Sequence, residues 1–210
     1  MMEYRAVGSR CAFDSGCLPD EARVQAGEIL EYLGFKPVDV DVLALARSCV
    51  GRSRFVKRVN PDYAPEQVNC SSLTKWLFGQ CGIWLPRLAI QQRMLGFPVP
   101  REQIAAGDLI FATARLNLYL DDSADGVGHV GIVTERQTVI HAKGKKSGVV
   151  EEAAEKFLLP SRFRGIRRII DPCHSVRTFE VPASAFVETS DDIWWLLIQE
   201  FYRRKGGKDA

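Results

Sequence analysis

Three residues have types and positions suited to covalent chemistry: Cys70, His129 and His141. Asn69 is a good N-cap, which places Cys70 in the first turn of a helix whose Leu73, Trp76 and Leu77 share one face. A thiol there meets unpaired backbone N–H groups and the positive end of the helix dipole. Both stabilise a thiolate, and a nearby imidazolium would lower the thiol pKa from ~8.5 to below neutrality. Taken alone, a cysteine at a helix start is more often structural than catalytic. The histidines alter that balance.

His129 to Thr134 and Thr138 to Ala142 alternate as two strands joined by a tight turn. With a three-residue turn, Glu135-Arg136-Gln137, Thr134 pairs with Thr138 and His141 falls opposite Gly131. His129 and His141 then project from one face as diagonal neighbours, over a glycine that leaves room between them. A two-residue turn would shift the register by one and separate them. The assembly is a nucleophile, a base and an orienter. Cys70 attacks a carbonyl carbon, His129 takes and returns the proton, and His141 holds the far nitrogen of His129. The reaction class is acyl transfer, most simply amide hydrolysis through a thioester. Ser71, beside the nucleophile, and Arg87, which follows a proline beyond the helix, are candidates for holding substrate. Arg87 would meet a carboxylate bidentately, with a solvent-facing role given equal weight. Neither a cofactor nor a metal is expected: no C-x-x-C pair occurs, and no histidine lies three to five residues from another. The acidic segment Asp121 to Asp125 lacks the EF-hand spacing and reads as a solvated loop. Adjacent Cys173 and His174 would point apart on an extended segment.

The elements that must position these groups follow from periodicity. Residues 1–18 show no period and read as a loop or arm. Asp20 is the expected N-cap of a first helix carrying Ala22, Ala26, Ile29, Leu30 and Leu33, closed by Gly34. A second helix bears Val42, Leu45, Ala46 and Cys49 and ends at Gly51. The polar stretch from Arg52 to Gln67 reads as a loop. After residue 106 the period changes to two, with strands at Leu109 to Ala112, the two histidine strands, Gly148 to Glu151 and Phe163 to Ile170. Helices first and strands after give an α+β class with a small antiparallel sheet. Beyond Asp171, Ser190-Asp191-Asp192 opens an amphipathic helix whose stripe is Trp194, Leu197, Ile198 and Phe201, a face that would dock on the domain or on a partner or dimer.

The chain has 210 residues, 46% apolar and 26% charged, with a formal net charge of +2. That supports one core with appendages and gives no reason to expect nucleic acid as a partner. Six irregularly spaced cysteines do not form a secreted disulfide framework. No apolar run resembles an export signal or a membrane span, so the default expectation is a cytoplasmic protein, with export by a signal-independent route as the alternative.

Several blocks resemble the NlpC-type cysteine peptidases, in the family's order: Ala46-Arg47-Ser48-Cys49-Val50-Gly51, Asn69-Cys70-Ser71-Ser72-Leu73, Leu85-Pro86-Arg87 with Gln91-Gln92, Gly107-Asp108-Leu109-Ile110-Phe111, His129-Val130-Gly131-Ile132-Val133 and Val139-Ile140-His141-Ala142. The resemblance covers roughly residues 42 to 153. It implies a papain-like thiol hydrolase core, with Cys70 as nucleophile, His129 as base and His141 as the orienting third residue. It also implies a small peptide or peptidoglycan fragment as substrate, cut between D-glutamate and a diamino acid. Asn69 and Ser72 stand where the family usually has Asp and Gly, and Arg54 and Phe55 where many cell-wall members carry a tyrosine. The domain reading is an N-terminal extension over 1–36, the hydrolase domain over 37–170 and a C-terminal extension over 171–210. Two alternatives stand beside hydrolysis: an acyltransferase or amidase of the same fold on another substrate, and a non-catalytic peptide-binding module.

Overall fold

The computed structural model describes residues 3–16, 18–119, 126–170 and 175–206. Cys17, the acidic segment at Asp121 to Asp125, and Cys173 with His174 lie outside the described residues. In chain order the strands are β1 (Arg10–Asp14), β2 (Lys36–Val38), β3 (Arg54–Phe55), β4 (Gln67–Val68), β5 (Phe97–Pro98), β6 (Leu109–Ala112), β7 (His129–Val133), β8 (Thr138–Gly144), β9 (Gly148–Ala153), β10 (Phe163–Arg168) and β11 (Val176–Glu180). The helices are α1 (Asp20–Tyr32), α2 (Val42–Cys49), α3 (Cys70–Gln80), α4 (Ala89–Gln92), α5 (Glu155–Leu158) and α6 (Ser190–Gly206). They divide into two compact units: Met1–Val40 with Gly79–Trp84 and Pro172–Ala210, and Asp41–Phe78 with Leu85–Asp171.

The first unit is a three-stranded antiparallel sheet, ordered β1-β11-β2, packed with α1 and α6. The arm expected over residues 1–18 is instead a strand at Arg10–Asp14, paired with β11 through Cys11 to Phe179 and Phe13 to Arg177. Cys11, Ala12, Phe13 and Asp14 are all buried, so the two-residue period that would announce a half-buried strand is missing. The free edge of β1 is closed by Ala12 N–H donating to the Gly82 carbonyl, 2.9 Å away. Pro19, not Asp20, occupies the cap position of α1; its fixed φ of −56° and extended ψ feed directly into a helix whose first residue is Asp20. At the other end Phe35 N–H returns to the Leu30 carbonyl, as the backbone reverses at Gly34. Ile193 and Leu197 of α6 are buried in one cluster with Phe13, Ile29, Leu30 and Phe179. The apolar stripe seen in the sequence is therefore covered, in part, within this chain.

The second unit is built on a six-stranded antiparallel sheet ordered β5-β10-β6-β7-β8-β9. Its strands fall where the change of period places them, with β5 added at one edge. The segment between Arg52 and Gln67, read as loop, contains a two-residue parallel pairing of β3 with β4, too short to leave a periodic signal. Asp41 caps α2 by accepting from Leu43 and Ala44 N–H, and the helix ends in Val50 and Gly51. Asp108 is buried before β6 and takes two hydrogen bonds from Arg168 at the end of β10, at 2.8 and 3.0 Å. That pair fixes the middle of the sheet next to the strands that carry the histidines.

The connection between β7 and β8 decides the site. Ile132 pairs with Ile140 and Val133 with Val139, and Thr134 N–H donates to the Thr138 carbonyl. The turn is thus Glu135-Arg136-Gln137, with Gln137 at φ 55°, the left-handed third position of a three-residue hairpin loop. The Thr134 and Thr138 hydroxyls bond at 2.6 Å, and Glu135 pairs with Arg47 of α2. His141 therefore lies opposite Gly131, as the spacing requires. A Cβ at Gly131 would lie 2.4 Å from Val139 Cγ1 and 3.0 Å from His141 Cβ. Gly131→Ala should cost about 1–3 kcal/mol through overpacking and spread the two strands, which urea unfolding together with a turnover assay would read as lost stability and lost activity.

Candidate active site

Cys70 is the first residue of α3, and Asn69 caps it: Asn69 Oδ1 accepts from Ser72 N–H at 2.9 Å while Asn69 N–H donates to Ser72 Oγ at 2.8 Å. This reciprocal arrangement has the form of a capping box with Ser in the third position. The cap is held from outside by Arg87, whose Nη1 donates to Asn69 Oδ1 at 3.3 Å and Ser71 Oγ at 3.1 Å while Nη2 donates to the Val59 carbonyl at 3.1 Å. Gln92, fully buried, bridges the same turn: Nε2 donates to the Ser71 and Pro86 carbonyls, and Oε1 accepts from Thr74 Oγ1 at 2.7 Å. Ser71 and Arg87, the candidates for holding substrate, thus bond to each other and stiffen the turn that carries Cys70.

The sulfur of Cys70 lies 4.0 Å from the Gly128 carbonyl and receives the Val130 N–H. Those residues flank His129, so the helix start is seated against the strand that carries the expected base. A side chain at Gly128 would collide with the Leu116 carbonyl at 2.2 Å, so glycine is required for β7 to enter at that depth. His129 Nε2 and His141 Nδ1 are 2.7 Å apart, with the rings nearly perpendicular. Phe157 of α5 stacks beside His129 and meets His141 edge-on, shielding both from water.

Sequence reasoning missed Glu152. Its Oε2 lies 3.1 Å from His141 Nε2, and its Oε1 accepts from Lys143 at 2.8 Å and Lys156 at 2.9 Å. A signal existed: in a β8–β9 hairpin His141 pairs with Val150, and Glu152, two residues on, shares its face. Reading β9 only as far as Glu151 hid it. A cavity of about 270 Å³ adjoins the pair, lined by Lys143, Glu152, Lys156 and Arg162 as well as both histidines. Among the described residues no group of three or more His, Cys, Asp or Glu is arranged to hold a metal, and no helix is long and apolar enough to cross a membrane.

The electrostatics revise one expectation. Burial pushes the Cys70 thiol up, and the opposing pull of the Val130, Ser71 and Cys70 N–H groups and of Arg87 does not overcome it. Burial, then the neighbouring His141 and Arg162, pushes His129 down to about 3. The resting pair is a neutral thiol beside a neutral imidazole, not the thiolate expected from the helix start, because desolvation penalises both charged forms. His141 is likewise lowered by burial, against the pull of Glu152. Glu152 is held down to about 2, chiefly by the Lys143 and Lys156 ammonium groups.

Of the described cysteines, Cys11, Cys49 and Cys81 are buried and Cys70 is partly exposed; burial raises Cys11 to about 12 and Cys81 to about 11. Iodoacetamide should therefore label Cys70 first, through access, with a rate that climbs with pH past the ordinary thiol value of 9.0. A rate already flat at pH 6, read by peptide mapping, would contradict a neutral resting thiol. The depressed values of His129 and Glu152 act on stability in one direction, because the unfolded chain binds both protons first. The stability contributed by His129 is whole above pH 6.5 and falls as pH drops toward 3, and that of Glu152 is whole above 4.5 and falls toward 2. The urea midpoint should decline on acidification from pH 6.5 to 4, with a shallower slope in His129→Phe.

Residues 60–168 match the family model described as NlpC/P60 family. A Corynebacterium glutamicum protein named as a probable endopeptidase is 31% identical over 91 residues, covering 43% of this chain and 38% of that protein. A gamma-DL-glutamyl hydrolase of Bacillus subtilis is 32% identical over 104 residues, 49% of this chain and 23% of that one. The chain therefore spans well under half the length of these curated relatives. Among solved structures, NlpC2 from Trichomonas vaginalis aligns with a TM-score of 0.51 at 24% identity, over 63% of this chain and 48% of the other. The resuscitation-promoting-factor-interacting protein RipA aligns with the same score at 20% identity, over 81% and 72%. At these identities the structural likeness speaks for the fold, a papain-like α+β core.

Proposed function

Because this chain belongs to the NlpC/P60 family of peptidoglycan hydrolases, we propose that it is a thiol-dependent peptidase that cleaves an amide bond in a peptidoglycan stem peptide, between D-glutamate and a diamino acid. The observation that carries this reading is the placement of Cys70 at a helix start, with its sulfur against the backbone on both sides of His129 and His141 bonded behind it. Relatives named as an endopeptidase and a gamma-DL-glutamyl hydrolase support the bond class.

The chemistry then runs from neutral partners. As Sγ of Cys70 attacks the scissile carbonyl carbon, its proton passes to His129, and charge develops on the carbonyl oxygen. The backbone N–H of Cys70, in the first turn of α3, is a donor suited to that oxyanion. Collapse of the tetrahedral intermediate expels the amine, which takes the proton from His129 and leaves a thioester on Cys70. Water, deprotonated by His129, attacks the thioester, and the thiol regains its proton as the acid product leaves. Creating the imidazolium in a desolvated site is unfavourable by itself, and its bond from Nε2–H to His141 stabilises it when it forms. Arg87, Asn69 and Ser71 hold the nucleophile turn rigid, so that the attack geometry exists before substrate arrives.

A muropeptide digest analysed by mass spectrometry tests the reading. Wild type should yield products shortened at the D-glutamyl bond. Cys70→Ala should yield none while keeping its circular dichroism spectrum and unfolding midpoint. Cleavage that persists in Cys70→Ala would remove the nucleophile assignment. Binding without cleavage by both proteins would favour a peptide-binding module.

A further inference from the structure

We propose that Glu152 is a positioning residue for the histidine pair: acting through His141, its carboxylate fixes the tautomer of both rings and leaves Nδ1 of His129 as the bare nitrogen that receives the thiol proton. This rests on the reading of Cys70 and His129 as nucleophile and base.

An ionised carboxylate accepts hydrogen bonds and donates none. The Oε1 atom of Glu152 takes both lysines, Lys143 from β8 and Lys156 from α5, and its Oε2 lies 3.1 Å from His141 Nε2. That nitrogen must therefore carry its hydrogen. His141 is neutral, so its Nδ1 is a lone pair, and it faces His129 Nε2 across 2.7 Å. Two bare nitrogens at that distance would repel, so His129 Nε2 carries the hydrogen. His129 is also neutral, so its Nδ1 is bare. The direction of every bond in the row, from His129 to His141 to Glu152, is dictated by the acceptor at its end.

Without that anion the row has no direction. The same bond can run in reverse, with His141 Nδ1–H donating to His129 Nε2 and His129 carrying its hydrogen on Nδ1. In that state His129 has no lone pair for the thiol proton. The surrounding cations have a second effect. Burial first, and then Lys143 and Arg162, disfavour protonation of His141 and so outweigh the pull of Glu152 toward an imidazolium. A protonated His141 would point a hydrogen at His129 Nε2–H and break the row. Arg162 is anchored nearby, donating to the Lys156 carbonyl at 3.1 Å and lying over the Phe157 ring. Lys143 thus acts on both groups: with Lys156 it holds the carboxylate ionised, and with burial and Arg162 it disfavours the charged form of His141.

Glu152→Gln in the full chain is the sharp test, because the amide is nearly isosteric and can donate to His141 Nε2, making the reversed row accessible. On muropeptide, kcat should fall roughly 10- to 100-fold, with KM little changed and the unfolding midpoint close to wild type. Glu152→Asp, which keeps an acceptor-only group, should recover part of the loss. The decisive readout is nitrogen NMR of the histidine rings, which needs no substrate. Wild type should show His129 protonated on Nε2 and bare on Nδ1, and Glu152→Gln should show the Nδ1–H form populated. A wild-type His129 carrying its hydrogen on Nδ1, or identical tautomers in wild type and Glu152→Gln, would overturn the proposal even if the protein cleaves muropeptide. If wild type cleaves nothing yet shows the expected tautomers and their shift, the assigned reaction fails and the positioning role stands. A lowered midpoint with tautomers unchanged would make Glu152 merely structural, which also overturns it.

Discussion

The site in this chain depends on one register, that of the hairpin between β7 and β8. A sheet repeats every two residues, so a slip of one would send either histidine to the opposite face, and no adjustment of side chains could recover the 2.7 Å bond. The register is over-determined for that reason. A left-handed residue at Gln137 closes a three-residue turn, paired threonine hydroxyls bracket it, and a salt bridge ties it to α2. Gly131 contributes by what it lacks, since any Cβ there would stand where His141 and Val139 already are.

Around that hairpin the second unit supplies two kinds of environment. Around Cys70 the interactions are mostly neutral and short-range: an Asn-Ser cap, a buried glutamine and one arginine held on carbonyl, amide and hydroxyl oxygens. On the histidine side an apolar ring, Phe157, meets a cluster of charges around Glu152. The contrast explains why burial governs the titration of Cys70 and His129, whereas ion pairing governs that of Glu152. In the proposed reaction, a thiol and an imidazole that are both disfavoured as ions would exchange a proton only when substrate provides a place for the developing negative charge. That proposed chemistry would rest on preorganised donors in place of a stored ion pair.

The first unit has a core of its own. Its sheet draws β1 and β11 from segments far apart in the sequence, and α6 completes the same core. Cys11 and Cys81 are buried there, and burial holds both thiols well above their usual range, which leaves them inert.

Local rules carried much of the site. The N-cap preference of Asn69 placed Cys70 at a helix start, and strand alternation with turn length placed His141 opposite Gly131, because both depend on neighbours within a few residues. The strands of the larger sheet were legible for the same reason. The strand at Arg10–Asp14 was not, since burial on both faces erases the period that a sequence displays. The state of the thiol was not either: a helix start favours the anion, but the desolvation that reverses this comes from residues distant in the chain. Glu152 lay beyond the end of the strand as read, and its role depends on where β9 aligns with β8 and on lysines brought in from β8 and α5. Sequence determined which groups are present and which face each takes; packing alone decided their charge and the direction of their hydrogen bonds, because those depend on what surrounds a group in space and not on what precedes it in the chain.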